Sequence, residues 1–225
     1  YKLVVKPNRM NYGLGIFFVE PNDVASYERA IVEAFKHGQE VVVEEFCEGE
    51  EYRFLVINGK CEAVCKRIPA NVVGDGSSSI KQLIQLKNHD PKKYKIPRYR
   101  LKLGKEEKRF LAGQGLDGDF VPEKGQRIWL RTNSNVSTGG DCIDFTDVAH
   151  IDYQTIAVRA AEAMDAVFCG IDMLIPEISL PADKGGYAVI ECNFNPALWI
   201  HRYPTEGTKR YVERATLDVL GFPAS

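Results

Sequence analysis

An α+β fold is what this sequence predicts, and three observations predict it. Strand-like runs meet at tight turns instead of through helices, with Asn58-Gly59 between residues 52–57 and 60–67 as the strongest hairpin signal. Apolar residues recur at helical spacing in several separate stretches. The regular strand–helix–strand alternation of a parallel sheet is missing.

Taken in order, Leu3-Val4-Val5 reads as a strand, and a polar loop through Gly13 and Gly15 leads to a second one, Ile16-Phe17-Phe18-Val19. Asn22 or Asp23 can cap a helix whose apolar positions are Tyr27, Ile31, Ala34 and Phe35, and Gly38 closes it. Residues 40–46 read as a buried strand that ends in acids, followed by the Asn58-Gly59 hairpin. Ser77-Ser78-Ser79 opens a helix through Leu83, Ile84 and Leu86. Residues 88–127 are charged and read as an excursion outside the core, with a helix near 106–114. A strand at 128–131, a polar loop at 133–140, an Ala-rich helix at 153–164, strands at 167–175 and 187–192, and a helix over 207–220 complete the chain.

Composition narrows the function class. With 29 basic against 31 acidic residues the net charge is −2, which provides no basic field for a phosphate backbone. No apolar run approaches the roughly 18 residues of a membrane span, and the first residues given do not read as a signal-peptide pattern. The six cysteines, Cys47, Cys61, Cys65, Cys142, Cys169 and Cys192, lack zinc spacing and read as reduced thiols of a cytoplasmic protein. The chain opens at Tyr1 directly into a strand, which reads as part of something longer.

Four stretches carry chemistry. Gly13 and Gly15 between two strands, with Lys6 just before, suit a flap whose backbone N–H groups cover phosphates, although a plain turn has the same composition. In Val43-Glu44-Glu45-Phe46-Cys47-Glu48-Gly49-Glu50-Glu51, a strand runs into carboxylates, as in a hinge that pairs with a base edge or in a solvated acidic turn. Asp172 within an apolar strand, and Glu191 and Asn193 on one face of another, are oxygen donors of the kind Mg²⁺ takes. Arg131 and the loop Asn133-Ser134-Asn135-Val136-Ser137-Thr138-Gly139-Gly140 can make a hydrogen-bonding cradle for an anion or a polar substrate.

In this order, Lys-Pro…Gly-Leu-Gly, Val-Glu-Glu-Phe…Glu-Tyr-Arg, Lys66-Arg67-Ile68-Pro69-Ala70-Asn71 and Asp172…Glu191-Cys192-Asn193 resemble the ATP-grasp ligases. More narrowly, Asn11-Tyr12-Gly13-Leu14-Gly15-Ile16, the loop 133–141 and Glu191-Cys192-Asn193-Phe194-Asn195-Pro196-Ala197 are similar to the C-terminal ligase half of bifunctional glutamate–cysteine ligase/glutathione synthetases. Cyanophycin synthetase shares these loops, and a non-catalytic nucleotide-binding module is the alternative of another class.

The resemblance implies an ATP-grasp fold with two α+β lobes that hold ATP between them, a smaller lobe at 1–46 and a larger one at 47–225. It implies that ATP phosphorylates the carboxylate of γ-glutamylcysteine and that glycine attacks the acyl phosphate. Lys6, Gly13 and Gly15 would contact the nucleotide phosphates, Glu44, Glu45, Phe46 and Cys47 the adenine, and Glu51 the ribose. Asp172, Glu191 and Asn193 would hold Mg²⁺, with Mn²⁺ as a substitute. Arg67 would stabilise the transferring phosphoryl group, and Arg131, Asn135 and Ser137 would form the substrate cradle. An upstream segment of the same polypeptide is implied too, so that these 225 residues alone are expected to bind nucleotide poorly. His201 and Trp199 read as packed side chains.

Overall fold

The computed structural model describes residues 2–8, 15–90 and 100–222. The chain forms two compact units, Tyr1–Glu48 and Gly49–Ser225.

In the first unit, β1 (Leu3–Pro7), β2 (Phe17–Val19), α1 (Val24–Phe35) and β3 (Val41–Glu45) follow one another. The strands form an antiparallel sheet in the order β2-β1-β3. Val5 and Val19 are buried against Ala30 and Ala34 of α1. Of the two expected caps it is Asp23 that acts, accepting a 2.9 Å bond from the Ser26 amide. The helix ends at Phe35, ahead of the expected stop at Gly38. The expectation of a buried strand at 40–46 is corrected: β3 is half-buried at Val41 and Val42 and exposed over Val43–Glu45, because a single helix covers one face of a three-stranded sheet.

The second unit begins with the hairpin β4 (Glu50–Ile57) and β5 (Lys60–Ile68). Asn58 and Gly59 both take positive φ, 49° and 72°, as a two-residue hairpin turn requires. Next come β6 (Asn71–Val73), α2 (Ile80–His89), α3 (Lys105–Gly113), β7 (Arg127–Trp129) and β8 (Asp141–Asp144). Then α4 (Ile151–Ala163), β9 (Phe168–Ile175), α5 (Ala182–Gly185), β10 (Ala188–Asn193), α6 (Trp199–Arg202) and α7 (Glu213–Val219) complete it. Five strands form one antiparallel sheet in the order β10-β9-β4-β5-β8, and β6 pairs with β7.

One face of the five-stranded sheet packs on α4. Tyr52, Phe54, Val56, Val64, Cys169, Ile171 and Met173 meet Tyr153, Ala157 and Ala161 there. Burial pushes the Tyr52 hydroxyl up to about 12, so it stays protonated in this apolar layer. On the opposite face, Leu55, Ile57 and Ala63 lie under Val212, while Cys65 and Cys142 lie under Ile200.

Two expectations fail in instructive ways. The described residues of the 88–127 stretch are not all outside the core: Leu101 and Leu111 are buried with Ile80, Leu83, Ile84, Ile128 and Leu130 in a separate cluster. A few spaced leucines suffice, because α2 and the β6–β7 pair supply the rest of the apolar wall. The helix expected over 207–220 forms at Glu213–Val219 alone. Ahead of it, Gly207 has φ 94°, the Arg210 amide donates to the His201 carbonyl, and the Arg210 guanidinium bridges Asp144 and Asp147. Those long-range bonds replace the helical ones.

Candidate functional site

Register alone places a polar row across the whole five-stranded sheet. Glu191 lies opposite Asp172, Asp172 opposite Arg53, Arg53 opposite Cys65, and Cys65 opposite Asp144, so all five point to the face away from α4. The next row holds Leu174, Glu51, Arg67 and Cys142. A β-bulge between Val189 and Glu191 sets the alignment. Val189 faces Met173 of the apolar side, and the inserted residue turns Glu191 onto the polar side beside Asp172.

Two ion pairs organise this face. Asp172 is fully buried and receives Arg53 Nε on Oδ1 and Arg53 Nη2 on Oδ2 at 2.6 Å, a bidentate fork. Burial alone would weaken the Arg53 charge, but the bonds to Asp172 outweigh it and raise the guanidinium's proton affinity. Gly170 makes the reach possible: a Cβ there would sit 2.9 Å from Arg53 Cδ and 2.9 Å from Pro196 Cβ. Arg67 donates from Nη2 to Glu51, and its Nη1 lies 3.4 Å from Asp172 Oδ2. Arg67 Nε is buried with no acceptor among the described residues.

The polar loop docks beside Arg67. Gly140 lies so close to β5 that a Cβ would come within 2.7 Å of the Ile68 carbonyl. Ser134, 5% exposed, donates to Glu51 Oε2 and accepts from Arg67 Nη2 at 3.2 Å. The Asn135 carbonyl receives the Thr138 amide and hydroxyl, shaping a single 3-10 turn. The Asn135 and Ser137 side chains make no hydrogen bond among the described residues, and Ser137 is exposed. Arg131 is turned toward α3, where it meets the buried Glu107 at 2.5 Å.

The expected metal set divides. Asp172 and Glu191 are cross-strand neighbours, and Asn193 follows on the same face with its Oδ1 accepting from the Asn195 amide at 2.9 Å. Oxygen donors in this register suit Mg²⁺. Among the described residues no three His, Cys, Asp or Glu side chains gather as a metal cluster, so Asn193 or a substrate oxygen would have to complete the shell.

In the first unit, Lys6 meets Glu44 at 2.5 Å, Gly15 has φ 75°, and the Phe46 ring stacks edge-on with Phe18 at 5.7 Å. Lys2 Nζ lies 5.0 Å from the centre of that ring. Glu45 is exposed, and the Cys47 thiol is 3.8 Å from its carbonyl. Gly13 lies outside the described residues.

Sequence reasoning missed Arg53, Ser134 and Gly170 as individual residues. A signal for Arg53 was present: a lone charge in Tyr52-Arg53-Phe54-Leu55-Val56 needs a partner for the same reason Asp172 does. His201 is buried beside Cys65 and Cys142, as packing predicts. Burial would push the Cys65 thiol up, but the Cys142 thiol, His201 and Arg53 together bring it below its ordinary value. A cavity of about 330 Å³ beside α2, β6 and β8 contains none of the expected site residues.

The comparisons with known proteins agree with this architecture. No family model matches the chain. It is 44% identical over 223 residues to the glutathione biosynthesis bifunctional protein GshAB of Clostridium perfringens, covering 97% of this chain and 29% of that protein. The protein of the same name from Listeria innocua is 43% identical over 223 residues, again covering 97% and 29%. The solved bifunctional glutathione synthetase from Pasteurella multocida superposes with a TM-score of 0.71 at 38% identity, over 98% of this chain and 31% of that one. The chain thus spans about 29% of the length of the curated relatives it matches. Among the described residues no helix is long and apolar enough to cross a membrane. The chain has an α+β fold and is similar, over nearly its whole length, to a segment of the bifunctional glutathione biosynthesis proteins.

Proposed function

We propose that this chain supplies the ligase chemistry of an ATP-dependent carboxylate–amine ligase of glutathione synthetase type. The observation that carries the reading is the polar sheet face, where Arg67, Asp172 and Glu191 converge in a chain 44% identical to a glutathione biosynthesis protein. The substrates are γ-glutamylcysteine and glycine, with ATP as phosphoryl donor.

The reaction has two steps. An oxygen of the γ-glutamylcysteine carboxylate attacks the γ-phosphorus of ATP, and ADP leaves with the electron pair of the broken P–O bond. The glycine nitrogen then attacks the acyl carbon and loses a proton, and the tetrahedral intermediate collapses to the amide with release of phosphate. No covalent nucleophile from the protein is needed, so the six cysteines stay outside the chemistry.

Arg67 holds its planar cation where negative charge collects during transfer. Asp172, Glu191 and Asn193 would hold Mg²⁺, whose contribution is to neutralise phosphate oxygens. The free amide of Asn135 and hydroxyl of Ser137 are available to orient the substrate, and Arg131 joins them once its bond to Glu107 is shared. In the first unit, Lys6 and Gly15 are proposed for the phosphates and the stretch Glu44, Glu45, Phe46 and Cys47 for the adenine. A phosphate at Lys6 competes there with Glu44.

The test is ADP release by the full-length protein that carries this chain. γ-Glutamylcysteine with glycine is expected to drive ADP release and yield glutathione. Turnover with aspartyl peptides in their place would move the reading to a cyanophycin-synthetase-like ligase, and nucleotide binding with no turnover would leave a binding module.

A further inference from the structure

We propose that the cavity between α2, the β6–β7 pair and β8 is a second binding site, one that takes a small zwitterion with an apolar body, of the amino-acid class. The site goes beyond the ligase reading and does not depend on it. The cavity holds about 330 Å³, enough for a ligand of that size. It lies across the sheet from the polar face. Ile68 pairs with Asp141, and Ile143 with Lys66, which is opposite Tyr52 of the α4 side. Arg67 and Cys142 of the same strands take the other side.

The lining has three parts. Ile68, Val72 and Leu83 are buried and make an apolar wall. Lys87, Asp90 and Asp141 carry charge, but each is engaged within the protein. Lys87 Nζ donates to Asp141 Oδ2 at 2.7 Å and to the Asn71 carbonyl at 2.8 Å, and the Asn71 side-chain amide donates to the same carboxylate oxygen at 2.9 Å. Two charges remain. Arg127 and Glu206 are exposed and have no ion pair or side-chain hydrogen bond among the described residues.

These two are fixed on different elements. Arg127 lies in β7 opposite Val73 of β6, and its guanidinium is 5.4 Å from the centre of the Trp129 ring. A guanidinium set on an aromatic face keeps its N–H edge for a carboxylate. Glu206 is tied to β8: it bridges to Ile143, and its carbonyl accepts from the Asp144 amide at 2.9 Å. A carboxylate at Arg127, an ammonium at Glu206 and an apolar side chain against Ile68, Val72 and Leu83 match every part of the lining at once. A simple anion leaves Glu206 unmatched, and a simple cation leaves Arg127 unmatched.

Calorimetry on the full-length protein that carries this chain tests the site with three probes of one shape. They are L-leucine, L-leucinamide, which lacks the carboxylate, and 4-methylpentanoate, which lacks the ammonium. L-leucine is expected to bind once per chain, and each of the others about tenfold to a hundredfold more weakly. Arg127→Gln is expected to weaken L-leucine by the same factor and to leave L-leucinamide unchanged. Glu206→Gln is expected to weaken L-leucine likewise and to leave 4-methylpentanoate unchanged. Both positions are exposed, so the variants should fold as wild type does, which thermal unfolding checks. Saturating γ-glutamylcysteine is expected not to displace L-leucine, since the two sides of the sheet are separate. No L-leucine binding, equal binding of all three probes, binding that neither variant changes, or displacement by γ-glutamylcysteine would each overturn the proposal and leave the ligase reading intact.

Discussion

The two faces of the five-stranded sheet are built from the same strands, residue by residue in alternation, yet they obey opposite physics. Toward α4, Phe54, Ile171 and Met173 are completely buried among apolar partners, and burial itself is the stabilising force. On the other side, Arg53 and Asp172 are just as buried, and for them removal from water is a cost that only their mutual fork offsets. The same strands therefore carry a face that holds the fold and a face that the fold must hold. The second kind is what a reaction involving phosphates requires, because charges fixed in a dry setting act more strongly than charges in water.

Breaking the apolar face is expected to have the largest effect on stability. Phe54→Ala leaves a cavity between β4 and α4 and should lower unfolding free energy by about 3–5 kcal/mol, measured by denaturant titration. A loss near zero would mean that α4 does not seal that face.

The polar face is sharpened by a cycle. Arg53→Met leaves Asp172 buried without its partner and should also cost about 3–5 kcal/mol, slightly relieved by Arg67 nearby. Joining it with Asp172→Leu should restore wild-type stability or exceed it by about 1–4 kcal/mol, since a well-packed apolar pair replaces a buried ionic one. Activity is expected to be lost in single and double variants alike. If the double variant were as unstable as the single one, the pair would be stabilising the fold and the contrast between the faces would fail.

The smallest effect belongs to the edge of the polar row. Burial acts to raise the Asp144 carboxyl, but hydrogen bonds from Arg210 and Thr146 overcome this and hold it below its ordinary 3.8. A depressed carboxyl contributes stability that is present above the unfolded value and is lost as pH falls through the folded one. Asp144→Asn should therefore lower the melting temperature modestly at pH 7, and the gap to wild type should close as the pH drops below about 4. An undiminished gap at pH 2.5 would show that the residue acts through packing.

Much of this was legible in the residues. Asn58-Gly59 announced its hairpin, the run Ser77-Ser78-Ser79 the helix that Ser79 caps, and the 153–164 periodicity its helix, because each signal is local. Alternation in Glu51-Tyr52-Arg53-Phe54 already separates the two faces of β4. What escaped reading was long-range. The role of Leu101 and Leu111 depends on α2 and β7 lying beside them, and the end of the last helix depends on Arg210 reaching Asp144. Neither partner is near in sequence.

The candidate site shows the same division. Residue types and order were enough to single out Asp172 and Glu191, with Asn193 on the face of Glu191, because charges in apolar strands need a partner or a metal. Arg67 entered through the resemblance to the ATP-grasp ligases. Their arrangement was not in the order of residues. Strand order β10-β9-β4-β5-β8 brings residues 53, 67, 172 and 191 to one face, and the bulge before Glu191 decides which face that residue joins. The partners of each charge, Arg53 for Asp172 and Glu51 with Ser134 for Arg67, follow from which strands pair and in what register. By itself the sequence determined the chemistry available to this protein, since side-chain type and local periodicity are short-range properties. Tertiary structure alone decided which charges meet, because pairing across a sheet depends on register between segments more than a hundred residues apart, as Arg53 and Asp172 are.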